Sequence, residues 1–167
     1  RAEVTEAQIF RCFTSKGDLF RTAIFAPLNR HFTDHQARRT GAEDAVPTRQ
    51  GAREFIAELQ DFIGEHSGML MSLAVAKAYA QDPTEGGAGL DGLTTYFERG
   101  AGMMRSRVKG EPTVAPELMV RVSFAAVLGC VLFSDWLFPP GVASAAEFRE
   151  ATLGFMLDGL NANNDYI

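Results

Sequence analysis

VTEAQIFRCFTSKGDLF, residues 4–20, reads as a short helix, a tight turn and the start of a second helix. Thr5 is a good N-cap, and Glu6 then lies in the first turn, where its charge suits the helix dipole. At 100° per residue Ile9 and Phe13 share one face, with Val4 packing beneath it from outside the helix. Ala7, Gln8 and Arg11 point the other way, and Phe10 lies between the two faces. TSKGD turns the chain. Ser15 can cap the next helix with Asp18 at the capping-box position, and Leu19, Phe20 and Ala23 give that helix an apolar face. Lys16 then stands at a helix N-terminus, where its ammonium and the free amides can both meet a phosphate. A short helix that turns small, polar and basic side chains outward is suited to DNA: Gln8 can pair bidentately with adenine, Arg11 with guanine or a phosphate. An ordinary solvated helix with a capped turn satisfies the same spacing.

Charge is distributed to match. Arg1 to Arg39 carries seven basic and four acidic side chains, net +3, and the rest carries nine basic and seventeen acidic, net −8. A mildly basic head on an acidic body suits an anionic partner at the head. With 167 residues, 46% of them hydrophobic and 22% charged, the chain can bury a sizeable core. Cys12 and Cys130 have no metal-ligand spacing, which favours reduced thiols in a cytoplasmic protein. The longest apolar run, Val122 to Phe138, is interrupted by Ser123, Ser134 and Asp135 and is too short for a membrane span, so no membrane partner is expected.

Beyond the opening, apolar residues recur three and four apart and no alternating strand pattern appears, so the fold class is all-α. Phe55, Ile56, Leu59, Phe62 and Ile63 form a stripe on a helix from about Thr48 to His66. Met69 to Ala80 is apolar almost all round and should be buried on most sides. QDPTEGGAG, residues 81–89, is a loop. Leu90, Leu93, Phe97, Ala101, Met104 and Val108 mark another helix, and Pro116 to Phe138 the most apolar one, stopped by the PPG of residues 139–141. SAAE, residues 144–147, opens the last helix with a capping box. Phe148, Thr152, Phe155, Met156 and Leu160 line one of its faces, and Gly154 and Gly159 imply close packing on another helix.

The segment EVTEAQIFRCFTSKGDLFRTAI resembles the recognition-helix region of the TetR/AcrR family of bacterial transcriptional repressors, through Val4, Thr5, Ile9, Phe10, Arg11, Cys12, Phe13, Lys16, Leu19 and Phe20. The resemblance implies a partial helix-turn-helix DNA-binding domain over residues 1–26, with the recognition helix at about 5–13 and a linking helix from 15. A helical ligand-binding and dimerisation domain over 27–167 would follow. It also implies that Thr5, Ala7 and Gln8 face bases, that Phe10 lies on the DNA backbone or a thymine methyl, and that Lys16 holds a phosphate. Glu3 departs from the family's usual turn glycine, Cys12 from a frequent histidine and Gly17 from a frequent glutamate. The family's head has three helices, so roughly 30–40 further residues are expected upstream of Arg1.

In the family the linking helix carries the ligand signal from body to head. Here it contains Pro27, which sets either a hinge or a static bend. The partners implied are a double-stranded DNA operator, a small-molecule effector and a second copy of the chain. Inward aromatic and methionine side chains, Phe62, Met69, Leu73, Tyr96, Phe97, Met104, Phe124 and Leu128, are candidate effector contacts, or plain core. Little polar faces inward beside the Tyr96 hydroxyl, so an apolar or aromatic effector is expected. Phe133, Leu137, Phe148, Thr152, Phe155, Met156 and Gly159 are candidate dimer contacts, with packing inside one chain as the alternative. His31 and His35 have a spacing that can hold a metal but read better as packed histidines. No catalytic constellation and no cofactor motif is recognised, so the chain is not expected to be an enzyme.

Overall fold

Ser15 starts the described helical structure by accepting a hydrogen bond on its hydroxyl from the Asp18 amide at 3.1 Å. The computed structural model describes residues 12–13, 15–40, 49–79, 91–106 and 114–160. Residues 5–11 of the expected recognition helix lie outside these. From the Ser15 cap one helix continues to Thr40: α1 (Lys16–Phe20), a π-helical turn (Arg21–Phe25) and α2 (Ala26–Thr40). The π turn falls just before Pro27, and the Ala26 amide reaches back five residues to the Arg21 carbonyl. Proline has no amide to give and its ring crowds the preceding turn, so the wider turn is where the helix absorbs it. The boundary expected at residues 26 and 27 therefore falls inside an unbroken helix. Phe20, Ile24 and Phe25 on it are already buried against the body.

The other elements are α3 (Arg49–Glu65), α4 (Ser67–Ala78), α5 (Asp91–Arg105), α6 (Pro116–Leu132), the single turn α7 (Ser134–Leu137) and α8 (Ala145–Leu160). All described elements are helical, as the apolar periodicity predicts. The core lies where α2, α3, α5, α6 and α8 meet. It is filled by Leu28 and Phe32, by Ile56, Leu59 and Ile63, by Tyr96, by Phe124 and Val127, and by Leu153, Met156 and Leu157. Each fully buried aliphatic side chain among them contributes about 1.5–3 kcal/mol of hydrophobic stabilisation.

Two glycines set how closely the helices approach. A Cβ on Gly92 would stand 2.4 Å from the Phe25 Cβ, so the first turn of α5 presses directly on the π turn. Asn29 holds the same junction by donating to the Gly92 carbonyl at 2.7 Å and the Phe25 carbonyl at 2.9 Å. Further along, Arg99 donates to the Thr33 hydroxyl at 3.0 Å and fastens α5 to α2. At Gly100 a Cβ would stand 2.8 Å from Val120 Cγ1, which brings α5 against α6.

Three expectations need correction. The helix expected over Pro116 to Phe138 ends at Leu132: Phe133 leaves helical geometry at φ −108°, ψ 19°, and a new turn starts at Ser134 with Asp135 in it. Those two polar residues are a helix start, not mere interruptions. α4 is not buried on most sides. Leu70 and Leu73 face in, but Val75 is half exposed and Tyr79 is 82% exposed. On α8 the buried stripe is Thr152, Leu153, Met156 and Leu157, whereas Phe155 is 73% exposed. Among the described residues nothing lies within 4 Å of a Cβ built on Gly154 or Gly159, so the expected close packing of these glycines on another helix is not seen there.

The SAAE box forms as read. The Ser144 amide donates to Glu147 Oε2 at 2.8 Å and the Glu147 amide donates to the Ser144 hydroxyl at 3.3 Å. Before it, Val142 donates to the Pro139 carbonyl at 3.1 Å around Gly141, whose φ of 95° is the left-handed value a type II turn asks of its third residue. Substituting Gly92→Ala should lower stability by about 1–3 kcal/mol in urea denaturation, although alanine is the better helix former. The new methyl meets a Cβ fixed to backbone, which can yield only if the two helices separate.

Candidate functional site

Aromatic rings on α2, α3, α5 and α6 meet without filling the space between them. Phe32 packs edge-on against Phe55, centroids 5.8 Å apart, and against Tyr96 at 5.7 Å, and Tyr96 meets Phe124 at 5.6 Å. Between these rings lies a cavity of about 120 Å3, completed by Met103, Met104, Val120, Ser123 and Met156. Among the described residues its lining is almost wholly hydrocarbon, ring or thioether, with no Lys, Arg, Asp or Glu. Gly100 keeps α5 and α6 close enough to close one wall. The polar groups on the lining are the His35 ring, the Ser123 hydroxyl and the Tyr96 phenol, and burial pushes the phenol's pKa well up.

His35 belongs to a cluster organised by one carboxylate. Glu58 Oε2 receives a hydrogen bond from His31 Nε2 at 2.9 Å and one from Arg38 at 2.7 Å. The His35 Nδ1 lies 3.5 Å from the same oxygen. Phe55 stacks on His31 at 5.2 Å and meets the edge of His35 at 5.1 Å. Burial pulls the Glu58 carboxyl upward, but the His31 hydrogen bond and the neighbouring Arg38, His31 and His35 charges outweigh it and hold it below the ordinary value. For His35 the balance falls the other way: loss of water around the ring outweighs Glu58 and lowers its pKa from 6.5, so the ring is neutral at neutral pH. A carboxylate accepts and never donates, so the ring nitrogens turned toward Glu58 are the protonated ones. The packed reading of the two histidines is the one the geometry supports.

A second cavity, of about 210 Å3, lies beneath the π turn. Ile24, Phe25, Leu28, Phe62, Leu73 and Leu93 are among its purely apolar lining, and Phe124 separates it from the first. The candidate effector contacts therefore divide: Tyr96 and Met104 line the first cavity, Phe62, Leu73 and Leu128 the second, and Phe124 both. Met69 lines neither and packs on the Phe20, Ile24 and Phe25 cluster. Phe97 lines neither as well, and lies 5.0 Å beneath the Arg121 guanidinium. Phe32, His35, Phe55 and Met156 were not anticipated at a cavity. The heptad-like stripe of Phe55 with Ile56 and Leu59 offered the one usable signal.

Among the DNA-contact candidates, Thr5, Ala7, Gln8, Phe10 and Arg11 lie outside the described residues, and Lys16 is placed only as the first residue of α1. Among the dimer candidates, Phe133, Leu137, Phe155 and Gly159 are on the surface. Phe148 is half-buried, its ring 4.5 Å from that of Phe138. Thr152 and Met156 are corrected: both are buried inside the chain, Thr152 donating to the Phe148 carbonyl at 3.0 Å and Met156 lining the first cavity. Trp136, 80% exposed beside Phe133, was overlooked as a surface aromatic. Among the described residues no group of His, Cys, Asp and Glu is arranged to hold a metal, and no helix is long and apolar enough to cross a membrane.

No protein-family model, curated protein or solved structure matches this chain. Its functional reading therefore rests on the site itself and on the opening motif.

Because the folded state lowers the His35 pKa, the unfolded chain binds this proton more readily. Stability is then full above the ordinary histidine value of 6.5 and drains away as pH falls below it. Urea denaturation at about pH 7.5 and about pH 5.5 should show that decline in the wild type and a flatter profile in His35→Gln. The Glu58 contribution is lost in the same direction but only as pH falls below the ordinary glutamate value of 4.5, so the two are separable.

Proposed function

We propose that this chain is the body, with part of the head, of a TetR-like DNA-binding transcriptional repressor that works as a homodimer in the cytoplasm. A small apolar or aromatic ligand releases it from its operator. The observation that carries the reading is a continuous helix, Lys16 to Thr40, that joins the recognition-like segment to the wall of an apolar cavity. Phe32 and His35 on α2 line that cavity, and well before them in the chain, at Lys16, the same helix begins just behind the segment that carries Gln8 and Arg11. A ligand between α2 and its neighbours favours whichever placement of α2 accommodates it. Two half-sites must be met together, so a change in the spacing of the two heads costs operator affinity. The π turn and Pro27 lie on this helix between the cavity wall and the recognition-like segment.

The dimer is supported by apolar side chains turned to solvent on α6, α7 and α8: Leu118, Val122, Trp136, Leu137 and Phe155. Exposed apolar side chains in this number mark a protein contact surface. Gly154 and Gly159 meet no other described residue within 4 Å of a built Cβ, which suits close approach of another helix to α8.

Gel shift of the full-length protein on DNA upstream of its own gene tests the reading. Binding should fall steeply with salt, and Gln8→Ala or Arg11→Ala should each cost about 1–3 kcal/mol. Absence of salt-sensitive binding would instead leave a helical ligand-binding and dimerisation module whose head does not read DNA. Sedimentation tests the dimer separately: Phe155→Glu, at a side chain exposed within the chain, should convert a dimer to a folded monomer. Equal sedimentation of wild type and variant as monomers would remove the homodimer.

A further inference from the structure

His35 sits at the boundary between the Glu58 cluster and the cavity, 7% exposed, and its two nitrogens serve different sides. Its Nδ1 lies 3.5 Å from Glu58 Oε2 without the geometry of a hydrogen bond, but a lone pair turned to that carboxylate would be repelled, so Nδ1 carries the proton. A neutral imidazole has one N–H and one lone pair, and the two nitrogens point in nearly opposite directions. The lone pair is therefore on Nε2, on the far side of the ring from Glu58, and this ring is part of the cavity lining. An acceptor at the edge of a hydrocarbon pocket costs stability while unsatisfied and rewards a ligand that brings a donor.

Size and charge narrow the ligand further. About 120 Å3 is of the order that takes a single six-membered ring, since an engineered apolar cavity of about 150 Å3 holds benzene. Phe32, Phe55, Tyr96 and Phe124 offer ring edges and faces on several sides, and Met103 and Met156 supply adaptable thioethers. Among the described residues the lining has no cation for an anionic ligand, and the Glu58 carboxylate lies directly behind His35.

We propose that this cavity binds a neutral single-ring phenol, its ring among Phe32, Tyr96 and Phe124 and its hydroxyl donating to His35 Nε2. The assignment rests on reading this cavity as the effector site and specifies the class of effector. The lone pair on His35 explains why a donor is required, and the Glu58 carboxylate behind that ring explains why a second carboxylate is refused.

Isothermal titration of the whole chain with phenol, anisole, toluene and benzoate, at neutral pH and without DNA, tests it. Phenol should bind about tenfold more tightly than anisole or toluene, and benzoate should not bind. In His35→Leu the advantage of phenol over toluene should vanish while toluene still binds, which shows that the cavity survives the substitution. Tyr96→Phe and Ser123→Ala should keep the phenol preference. Equal affinity for phenol and toluene in the wild type, a preference that persists in His35→Leu, a preference lost in Ser123→Ala or Tyr96→Phe, or no binding by any of the four compounds would each overturn the assignment. The titration contains no DNA, so its failure leaves a positive gel shift standing, and a negative gel shift leaves a positive titration standing.

Discussion

Pro27 brings no amide hydrogen to the middle of a helix that runs from Lys16 to Thr40, and the arrangement around it follows from that deficit. An α-helical continuation would leave a carbonyl one turn back without its donor and drive the proline ring into it. The chain widens instead into a π turn over Arg21–Phe25. Ile24 and Phe25 on that turn are completely buried, and Phe25 meets α5 at a point where only a glycine fits. Asn29, on the next turn, satisfies the carbonyls of both Phe25 and Gly92 with one side-chain amide. The irregular turn is thus held from the body side by packing and from the α2 side by hydrogen bonds. It also roofs the second cavity, where the space beneath Ile24 and Phe25 is not filled. A helix fixed at both ends of an irregular turn, over unfilled volume, has a place to change register without unfolding.

Polar interactions divide by burial. Arg149 pairs with Asp61 and donates to the Ala57 carbonyl, Arg53 pairs with Glu150 and Arg49 with Asp158, so three ion pairs stitch α3 to α8. The hydrogen bond from Arg149 holds the Asp61 carboxyl below its ordinary value. All three are open to water, and pairs of this kind contribute little each. Orientation of the two helices comes mainly from the buried Ile56, Leu59, Ile63, Leu153 and Leu157 between them. The Glu58 cluster differs in kind. Its carboxylate sits at the rim, so its own burial is modest, yet it fixes the tautomer of a histidine that is almost wholly enclosed. A partly exposed charge thereby decides what a buried nitrogen presents to the cavity.

The sequence was most legible where a signal is local or strongly one-sided. Ser15 with Asp18 and Ser144 with Glu147 were readable because a cap involves residues three apart and nothing distant. The stripe on α3 was readable because Glu54, Glu58 and Asp61 mark the opposite face and fix its phase. On α6 and α8 that phase reference is missing. α8 carries apolar residues on nearly every side, so spacing alone does not decide that Leu153, Thr152 and Met156 turn inward while Phe155 turns outward. Choosing among them takes the neighbouring helix, which sequence spacing does not supply. The cavity residues were hidden for a related reason. A ring that lines a cavity and a ring that fills a core have the same sequence signature, and only the spacing of five helices distinguishes them. Gly92 and Gly100 set that spacing, and neither looked different from a glycine that merely weakens a helix.

Met156 and Phe155 stand next to each other on α8 with opposite surroundings. Met156 closes the wall of the first cavity, and Phe155 is turned to solvent on the surface proposed for a second copy. α8 is also bound to α3, whose Phe55 and Glu58 position His35. A rotation of α8 that makes room for a ligand at Met156 must carry Phe155 with it, because a helix one turn long or more moves its faces together. Cavity and outer surface are therefore linked through one rigid rod, while cavity and head are linked through another that contains the π turn. In the proposed regulator one rod would carry the accommodation of a ligand toward the second copy and the other toward the head.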